Sequence, residues 1–377
     1  MLVDKNTPRF RVLTSLAEFE AYEDEYRHLF DGSNASPFSS YEWIRASILN
    51  QNPQGKIFIC IAEDSEGPYA AVPLIAIKEL FTVRLELLGE GPATHNAGLV
   101  LERGADLDIL QQACFWLYST QIRWDYCIVE RIPEGSYFST RKVPSENGGF
   151  CFHFDAEPSS AIKLPECWED YLAGVSKKHR SNIRRTTRNF ESDFDVKMLR
   201  AGLRPDDDSR LIEKLIEDSL SVCRRSWQGN SAPGAAICDA DTIDFFRQSS
   251  LTLAQSAMLD LAVLYSNDSP VAYSWGVTRG GTSWISTSGF DAELRDLGPG
   301  TILDSLVIKD SIDRGMLLLD WGDEFAEYKR RWCNHSIPLY NSVLYAKQGI
   351  SKFKHRIQDR WDRSIKSRID SMRSRLD

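Results

Sequence analysis

The segment Arg295-Asp296-Leu297-Gly298-Pro299-Gly300-Thr301 has the residue types of a phosphate cradle. It follows a strand-like run, Ser283 to Gly289, and opens a helix-like run with Ile302, Leu303, Leu306, Val307 and Ile312 as its apolar face. A glycine-rich turn at a helix start aims backbone N–H groups and the positive end of the helix dipole at one point, which suits an anion and specifically a pyrophosphate. Glycine belongs there because a side chain would hold the phosphates off the backbone. Three readings compete. A dinucleotide-binding fingerprint wants a third glycine where Leu303 stands and a tight turn where eight residues, 290 to 297, intervene, although Asp320 does lie 20 residues past Gly300. A P-loop is excluded, because no Gly-Lys-Ser/Thr ending follows. A plain Gly-Pro-Gly helix start is the third.

Residues 176 to 189 carry six cations (Lys177, Lys178, Arg180, Arg184, Arg185, Arg188), one histidine and no acid. On a helix, Arg180, Arg184 and Arg188 fall at i, i+4 and i+8 and share a face, an arrangement that costs an isolated helix roughly 0.2–0.5 kcal/mol per like-charged pair. Such a stripe either binds an anion or is a solvated face answered by acids elsewhere in the fold. The anion would be cofactor phosphate or an anionic acceptor such as a nucleotide-linked or phosphorylated sugar, held by bidentate guanidinium contacts.

The elements that must position these groups follow from periodicity. Leu16, Phe19, Tyr22, Tyr26 and Leu29 predict one amphipathic helix over 15–30, and a second opens at Tyr41-Glu42-Trp43. Strands follow at 57–63 and 69–77 around a turn at Asp64 to Pro68, then at 84–88, with a helix over about 107–120 and a buried strand at 126–131. The second half repeats that order. Helices are expected at 168–173, 177–190, 209–226 and 243–257, a hairpin at 259–265 and 271–278, a strand at 283–289, a helix at about 300–314 and a short strand at 316–320. Gly148-Gly149 and Glu157-Pro158-Ser159-Ser160 place a boundary near 150–165.

The Arg-x-x-Gly-x-Gly pattern after a central strand resembles the pyrophosphate loop of the GNAT superfamily of acyl-CoA N-acyltransferases. The wider pattern is similar to the branch of acetyltransferases involved in cellulose biosynthesis, itself similar in architecture to Fem-type peptidoglycan aminoacyltransferases. The residues that carry it are Ser40-Tyr41-Glu42-Trp43, Trp124-Asp125, Trp168-x-x-Tyr171-Leu172, Ser176-Lys177-Lys178-His179-Arg180 with Ile183-Arg184-Arg185, Ser288-Gly289-Phe290-Asp291, Gly298-Pro299-Gly300, Asp320-x-Gly322 and Tyr328-Lys329-x-x-Trp332. The resemblance spans roughly residues 36 to 335.

It implies an α/β chain built as a tandem of two GNAT-like folds, mixed central sheets flanked by helices. The expected units are residues 1–160, residues 161–348 with the acyl-CoA site, and a basic C-terminal helix at 349–377. It further implies that acetyl-CoA or another acyl-CoA is held by Ser288, Arg295, Leu297, Gly298, Pro299, Gly300 and Thr301, with its pantetheine along the strand 284–289. Tyr328 would meet the departing thiolate, and Asp320, Lys329 and Trp332 would face the acceptor together with the arginine stripe. Asp320 would orient the acceptor amine or take its proton through water; the competing reading is a helix N-cap, and for Tyr328 it is core packing or mere capping.

Composition bounds the rest. With 377 residues, 42% hydrophobic and 26% charged, the chain is an ordinary globular sequence of two or three domains. The 45 basic against 54 acidic residues give −9, which argues against DNA as a partner and against the broad positive surface that tRNA wants. The eight cysteines are scattered without a CxxC pair and read as reduced thiols, and Cys333-x-His335 alone falls short of a zinc site, so no metal is expected. No apolar leader or membrane span is visible, so a cytoplasmic enzyme is expected. The tail from Ser351 has nine Lys/Arg against four Asp, with Phe353, Ile357, Trp361, Ile365, Ile369 and Met372 at helical spacing, as in a packed helix or one that touches a membrane surface.

The expectation is direct transfer of an acyl group from acyl-CoA to an amine of a small molecule, sugar or peptide. Its rivals are a Fem-like aminoacyl-tRNA-dependent transferase and a silent GNAT scaffold in envelope-polysaccharide assembly.

Overall fold

The computed structural model describes residues 9–50, 55–89, 98–102, 109–133, 150–230, 236–322, 327–347 and 350–360. The first half runs β1 (Arg9–Leu13), α1 (Leu16–Glu20), α2 (Glu23–Gly32), α3 (Tyr41–Asn50), β2 (Lys56–Glu63), β3 (Pro68–Lys78), β4 (Val83–Leu87), β5 (Val100–Leu101), α4 (Ile109–Ser119) and β6 (Tyr126–Pro133). Then come β7 (Phe150–Lys163), α5 (Trp168–Gly174), α6 (Lys177–Asp193), β8 (Val196–Ala201), α7 (Ser209–Arg225), α8 (Ile243–Gln255), β9 (Leu259–Ser266), β10 (Ser269–Arg279) and β11 (Thr282–Phe290). The chain continues through α9 (Pro299–Asp313), β12 (Leu318–Asp320), α10 (Glu327–Arg330) and β13 (His335–Tyr345). Residues 350–360 are helical, so the first part of the expected tail helix forms; 361–377 lie outside the described residues.

The expected mixed sheet flanked by helices is present, and all of its strands join. The order is β1-β2-β3-β4-β6-β13-β7-β12-β11-β10-β9-β8, with β5 on β3. Read from its two edges the sheet repeats itself. In each half three antiparallel pairings lead to one parallel pair, β4 with β6 and β11 with β12, crossed by α4 and α9 respectively. The strands that follow are exchanged. β7 comes after β6 in the chain but pairs with β12, β13 comes after β12 but pairs with β6, and the two pair with each other.

Three points of the sequence reading need correction here. Glu157-Pro158 does not interrupt the chain, because β7 runs through it, and β13 was not foreseen at all. The reason is shared. The register shifts between Ile337 and Leu339, where Glu157 and Pro158 stand opposite Pro338. A bulge leaves residues without ladder hydrogen bonds, so prolines that would break a regular strand are accommodated. The helix expected over 15–30 is likewise two, ending first at Ala21, so that Phe19, Tyr22 and Tyr26 are all buried.

The largest core cluster joins the halves. Trp43 of α3 meets Phe245 of α8 edge-on at 4.9 Å and lies 6.0 Å from Trp275 of β10. Its indole N–H donates to Gly89 O at 2.9 Å, and Gly89, at φ +95°, could not carry a Cβ, which would stand 2.9 Å from that indole.

A buried ion pair fixes α9 on the sheet. Arg200 of β8 binds Asp260 of β9 through two 2.7 Å hydrogen bonds, and its other guanidinium nitrogen reaches Asp310 and Ser311 of α9, each at 2.9 Å. Ser283 of β11 donates to the same Asp260 at 2.6 Å. Burial pushes the Asp260 carboxyl up, but Arg200 and Ser283 outweigh it and hold the group below its ordinary range. Arg200→Leu would leave Asp260 charged, buried and without its cation. We expect a loss of about 3–5 kcal/mol in urea unfolding, whereas a loss under 1 kcal/mol would show that α9 is held by packing alone.

Candidate functional site

The parallel pairing of β11 and β12 covers only Thr282–Leu318, Ser283–Leu319 and Trp284–Asp320. Beyond it the strands part. Trp321 N donates to Ser160 O at 2.8 Å and Ser160 N to Gly322 O at 3.0 Å, so the chain after β12 stays with β7. Thr287 to Phe290 stay with β10. The outer edge of β11 from Ile285 to Phe290 therefore has no partner strand among the described residues.

A bulge marks the parting point. Trp275 pairs with Thr287 and Gly276 with Ile285, which leaves Ser286 as the extra residue. A Cβ at Gly276 would stand 2.2 Å from Trp284 O, so only glycine permits this crossing. The Ser286 hydroxyl is buried there without a hydrogen-bond partner among the described residues.

At the end of β11 the chain makes a 3-10 turn, Ala292–Leu297, and enters α9 at Gly298 with φ +69° and ψ +43°. That left-handed residue closes one helical turn and starts the next, which a side chain would resist. A Cβ would also press within 2.9 Å of Thr186 Cγ2 on α6. Ile302 N is bonded to Gly298 O at 3.3 Å and no side chain among the described residues caps the helix. Pro299 has no N–H, so the N–H groups of Gly300 and Thr301 are the donors left for a ligand. Arg295, on the preceding turn, is exposed and makes no ion pair among the described residues. The glycine turn is thus a helix start with open donors, at the mouth of the splay. Ser288 lies on the splayed strand, with its carbonyl accepting from Gln228 Nε2 at 3.2 Å, and Leu297 packs against the core under α9.

The arginine stripe does form one face. Ser176 caps α6 by accepting from His179 N at 3.2 Å, and His179, Ile183, Thr186 and Phe190 turn inward. Arg180, Arg184 and Arg188 line a cleft of about 830 Å³ between α5, α6 and α9. Its floor is apolar, with Leu172, Ile183 and Leu306. Arg180 is committed to structure, donating to Leu172 O at 2.9 Å and Ala173 O at 3.0 Å at the end of α5. The sequence reading missed Lys309, which adds a cation from α9. Its spacing from Gly300 offered no signal, because the cleft exists only once α6 packs on α9.

The remaining expected site residues do not share that cleft. Asp320 is buried, accepts from Gly322 N at 2.9 Å and from Ser159 Oγ, and so holds the turn after β12. Lys329 is also buried and donates to Trp321 O at 2.7 Å. Trp332 lies in the core, 3% exposed, edge-on to His179 at 4.4 Å and next to Trp321 at 6.3 Å. Neither Lys329 nor Trp332 has the exposed face that an acceptor-binding wall would need. Tyr328 is 49% exposed on α10, which removes core packing as its reading.

Asp304, one turn past Gly300 on α9, was not singled out. An acid inside the apolar run Ile302-Leu303-Asp304-Ser305-Leu306 was the available signal. Burial pushes its carboxyl up to about 7, and Lys329 only partly opposes this. Asp304 therefore binds its proton more tightly in the folded chain than in the unfolded one. Its stabilising contribution is complete below its ordinary value of 3.8 and is lost as pH rises through about 7. Asp304→Asn should gain thermal stability over the natural chain at pH 8 and not at pH 4; equal shifts at both pH values would contradict the burial of a charge there.

Among the described residues no group of three His, Cys, Asp or Glu side chains could hold a metal ion, and no helix is long and apolar enough to cross a membrane. Residues 177–330 match the family described as acetyltransferase (GNAT) domain. The match begins with α6 and ends with α10, and so contains the splay, the glycine turn and the arginine stripe. No curated protein matches the sequence significantly. Among solved structures the chain is similar in fold to L-PGS from Bacillus licheniformis, at 13% identity and TM-score 0.54, over 92% of this chain and 96% of the other. FemX is similar at 8% identity and TM-score 0.55, over 89% and 96%. The C-terminal domain of an Agrobacterium fabrum protein assigned as a lysylphosphatidylglycerol synthetase is similar at 10% identity and TM-score 0.55, over 92% and 96%.

Proposed function

We propose that the chain is an N-acyltransferase that moves an acyl group, acetyl in the simplest case, directly from acyl-CoA to an amine within a ternary complex. The observation that carries this is the splay of β11 from β12 with the uncapped start of α9 at its mouth, inside the stretch that matches an acetyltransferase domain. In this reading the pyrophosphate sits on the N–H groups of Gly300 and Thr301, with Arg295 alongside. The pantetheine lies along the open edge of β11 past Ser288, where unpaired backbone groups can bond its amides.

The reaction then needs an amine in its neutral form attacking the thioester carbonyl, a donor for the oxyanion and a proton for the sulfur. As the C–N bond forms and the C–S bond breaks, Tyr328 gives its phenolic proton to the departing thiolate, and the proton shed by the amine nitrogen passes to solvent water, from which the phenolate is reprotonated. Asp320, with its carboxylate engaged by Ser159 and Gly322, acts by holding the turn between β12 and α10 rather than as a free base. The cleft lined by Arg184, Arg188 and Lys309 belongs to the phosphates of the donor or to an anionic acceptor, small molecule, sugar or peptide.

A Fem-like reading, with aminoacyl-tRNA as donor, is favoured by one observation, the excess of cations in the lining of that cleft, where Arg180, Arg184, Arg188 and Lys309 stand with Glu169 and Glu191. Calorimetric titration separates the two. CoA should bind the natural chain, and Arg184→Gln with Arg188→Gln should weaken binding of CoA or of the acceptor more at low salt than at high, because screening already removes much of the attraction at high salt. Absence of CoA binding at either salt level, with aminoacyl-tRNA bound, would transfer the proposal to the Fem-like reading.

A further inference from the structure

The helix at 350–360 meets the body of the chain with its polar side. Ser351, Lys354, His355 and Gln358, spaced i, i+3, i+4 and i+7, share one face. Lys354 Nζ donates to Asp125 Oδ1 at 2.9 Å. His355 stacks on Tyr126 of β6 with ring centres 4.0 Å apart, and its Nδ1 is hydrogen-bonded to the Tyr345 hydroxyl of β13 at 2.8 Å. Phe81 N donates to Gln358 Oε1 at 3.2 Å. Ser351 and Gln358 are buried.

The apolar side is left outward. Ile350, Phe353 and Ile357, spaced i, i+3 and i+7, are 64%, 65% and 38% exposed. A surface helix ordinarily buries such a stripe and shows its polar side to water, so the orientation here is inverted. The hydrogen bond from Phe81 sets the turn between β3 and β4 beside the end of this helix, and that turn exposes two more large apolar side chains, Leu80 and Phe81. Two elements far apart in sequence thus show apolar groups side by side, and a patch of that kind marks a contact surface.

Charge and shape select the partner. Arg356 and Arg360 are exposed and follow Phe353 and Ile357 by three residues, so they border the stripe. From 350 to 360 the helix has four cations, Lys352, Lys354, Arg356 and Arg360, against Asp359 alone, in a chain of net charge −9. We infer that this face is a docking surface for an anionic lipid bilayer. Ile350, Phe353 and Ile357 enter the headgroup boundary, and Arg356 and Arg360 reach the lipid phosphates. A second copy of the chain fits less well, because pairing the stripe with itself would bring two cationic helices together. An acidic protein matches the charge, but the row is the convex outside of one helix, and a fluid surface covers it without needing a complementary groove. The inference does not depend on the acyl-transfer reading.

Co-sedimentation of the full-length protein with vesicles tests this. One set is equimolar phosphatidylserine and phosphatidylcholine, the other phosphatidylcholine alone, and polyglutamate at matched ionic strength is the competitor. We expect binding to the anionic vesicles, weaker at high salt, none to phosphatidylcholine, and no release by polyglutamate. Phe353→Ser with Ile357→Ser should weaken binding about tenfold or more, since burying one such side chain is worth that much. Both side chains are exposed, so the melting temperature should hold. If that variant does not fold, Arg356→Gln with Arg360→Gln should weaken binding by about the same factor. No binding to anionic vesicles, equal binding to both kinds of vesicle, release by polyglutamate, or unchanged binding in whichever variant folds would overturn the inference. So would a dimer of the natural chain that Phe353→Ser with Ile357→Ser converts to monomer, which would give the stripe to a second copy.

Discussion

Gly300→Glu should abolish acyl-CoA binding in a chain that still folds. A glutamate in the first turn of α9 places its own carboxylate among the N–H groups that the pyrophosphate would use, and near the positive end of the helix it favours the helix rather than disturbing it. The new Cβ would stand 3.1 Å from Phe290 Cδ1, tight enough to need a shift of a few tenths of an ångström at the ring and no rearrangement of the backbone. Two charge-assisted hydrogen bonds are at stake, each worth about 1.5–3 kcal/mol, so the dissociation constant should rise by about 100-fold or more. Calorimetry of CoA against a variant with an unchanged melting temperature reads this directly. An unchanged affinity would remove the glycine turn from the site.

Tyr328→Phe should act on turnover and leave binding alone. The residue is half exposed on α10, and the substitution removes the hydroxyl while keeping the ring. A positioned proton donor matters only as charge develops on the sulfur, and general-acid catalysis of this kind is typically worth about 10²- to 10⁴-fold. The expected pattern is a fall in kcat of that size with the dissociation constant for acyl-CoA and the melting temperature held. Turnover at the natural rate would make Tyr328 a surface residue without a catalytic role.

The parts of this molecule that were legible in the sequence are those in which local chemistry and global fold agree. Asn267 and Asp268, at φ +49° and +63°, turn the β9–β10 hairpin where the chain shows Ser-Asn-Asp-Ser between two apolar runs. The glycine turn before α9 was visible because Gly298 needs a left-handed backbone. β1 and β8 were not visible, since β1, though it alternates, is only five residues long, and β8 is an edge strand that stays mostly half exposed. β13 was hidden by Pro338, and the exchange of β7 and β13 is a long-range choice that no local pattern records.

The same division runs through the site. The arginine stripe was legible from helical spacing, but its partner Lys309, the commitment of Arg180 to the end of α5, and the burial of Lys329 and Trp332 depend on how α5, α9 and α10 pack. A tryptophan at helical spacing from a tyrosine reads alike as a cleft wall or as a core residue. Here the contact with His179 makes it core.

The most direct test of the central claim is the release of free CoA thiol when the purified chain is mixed with acetyl-CoA and a panel of amines spanning amino acids, amino sugars and peptides, with the acylated product followed by mass spectrometry. The account predicts thiol release that depends on one class of amine, with one N-acylated product formed per thiol. Binding of CoA with no transfer to any amine in the panel would contradict it and favour a scaffold.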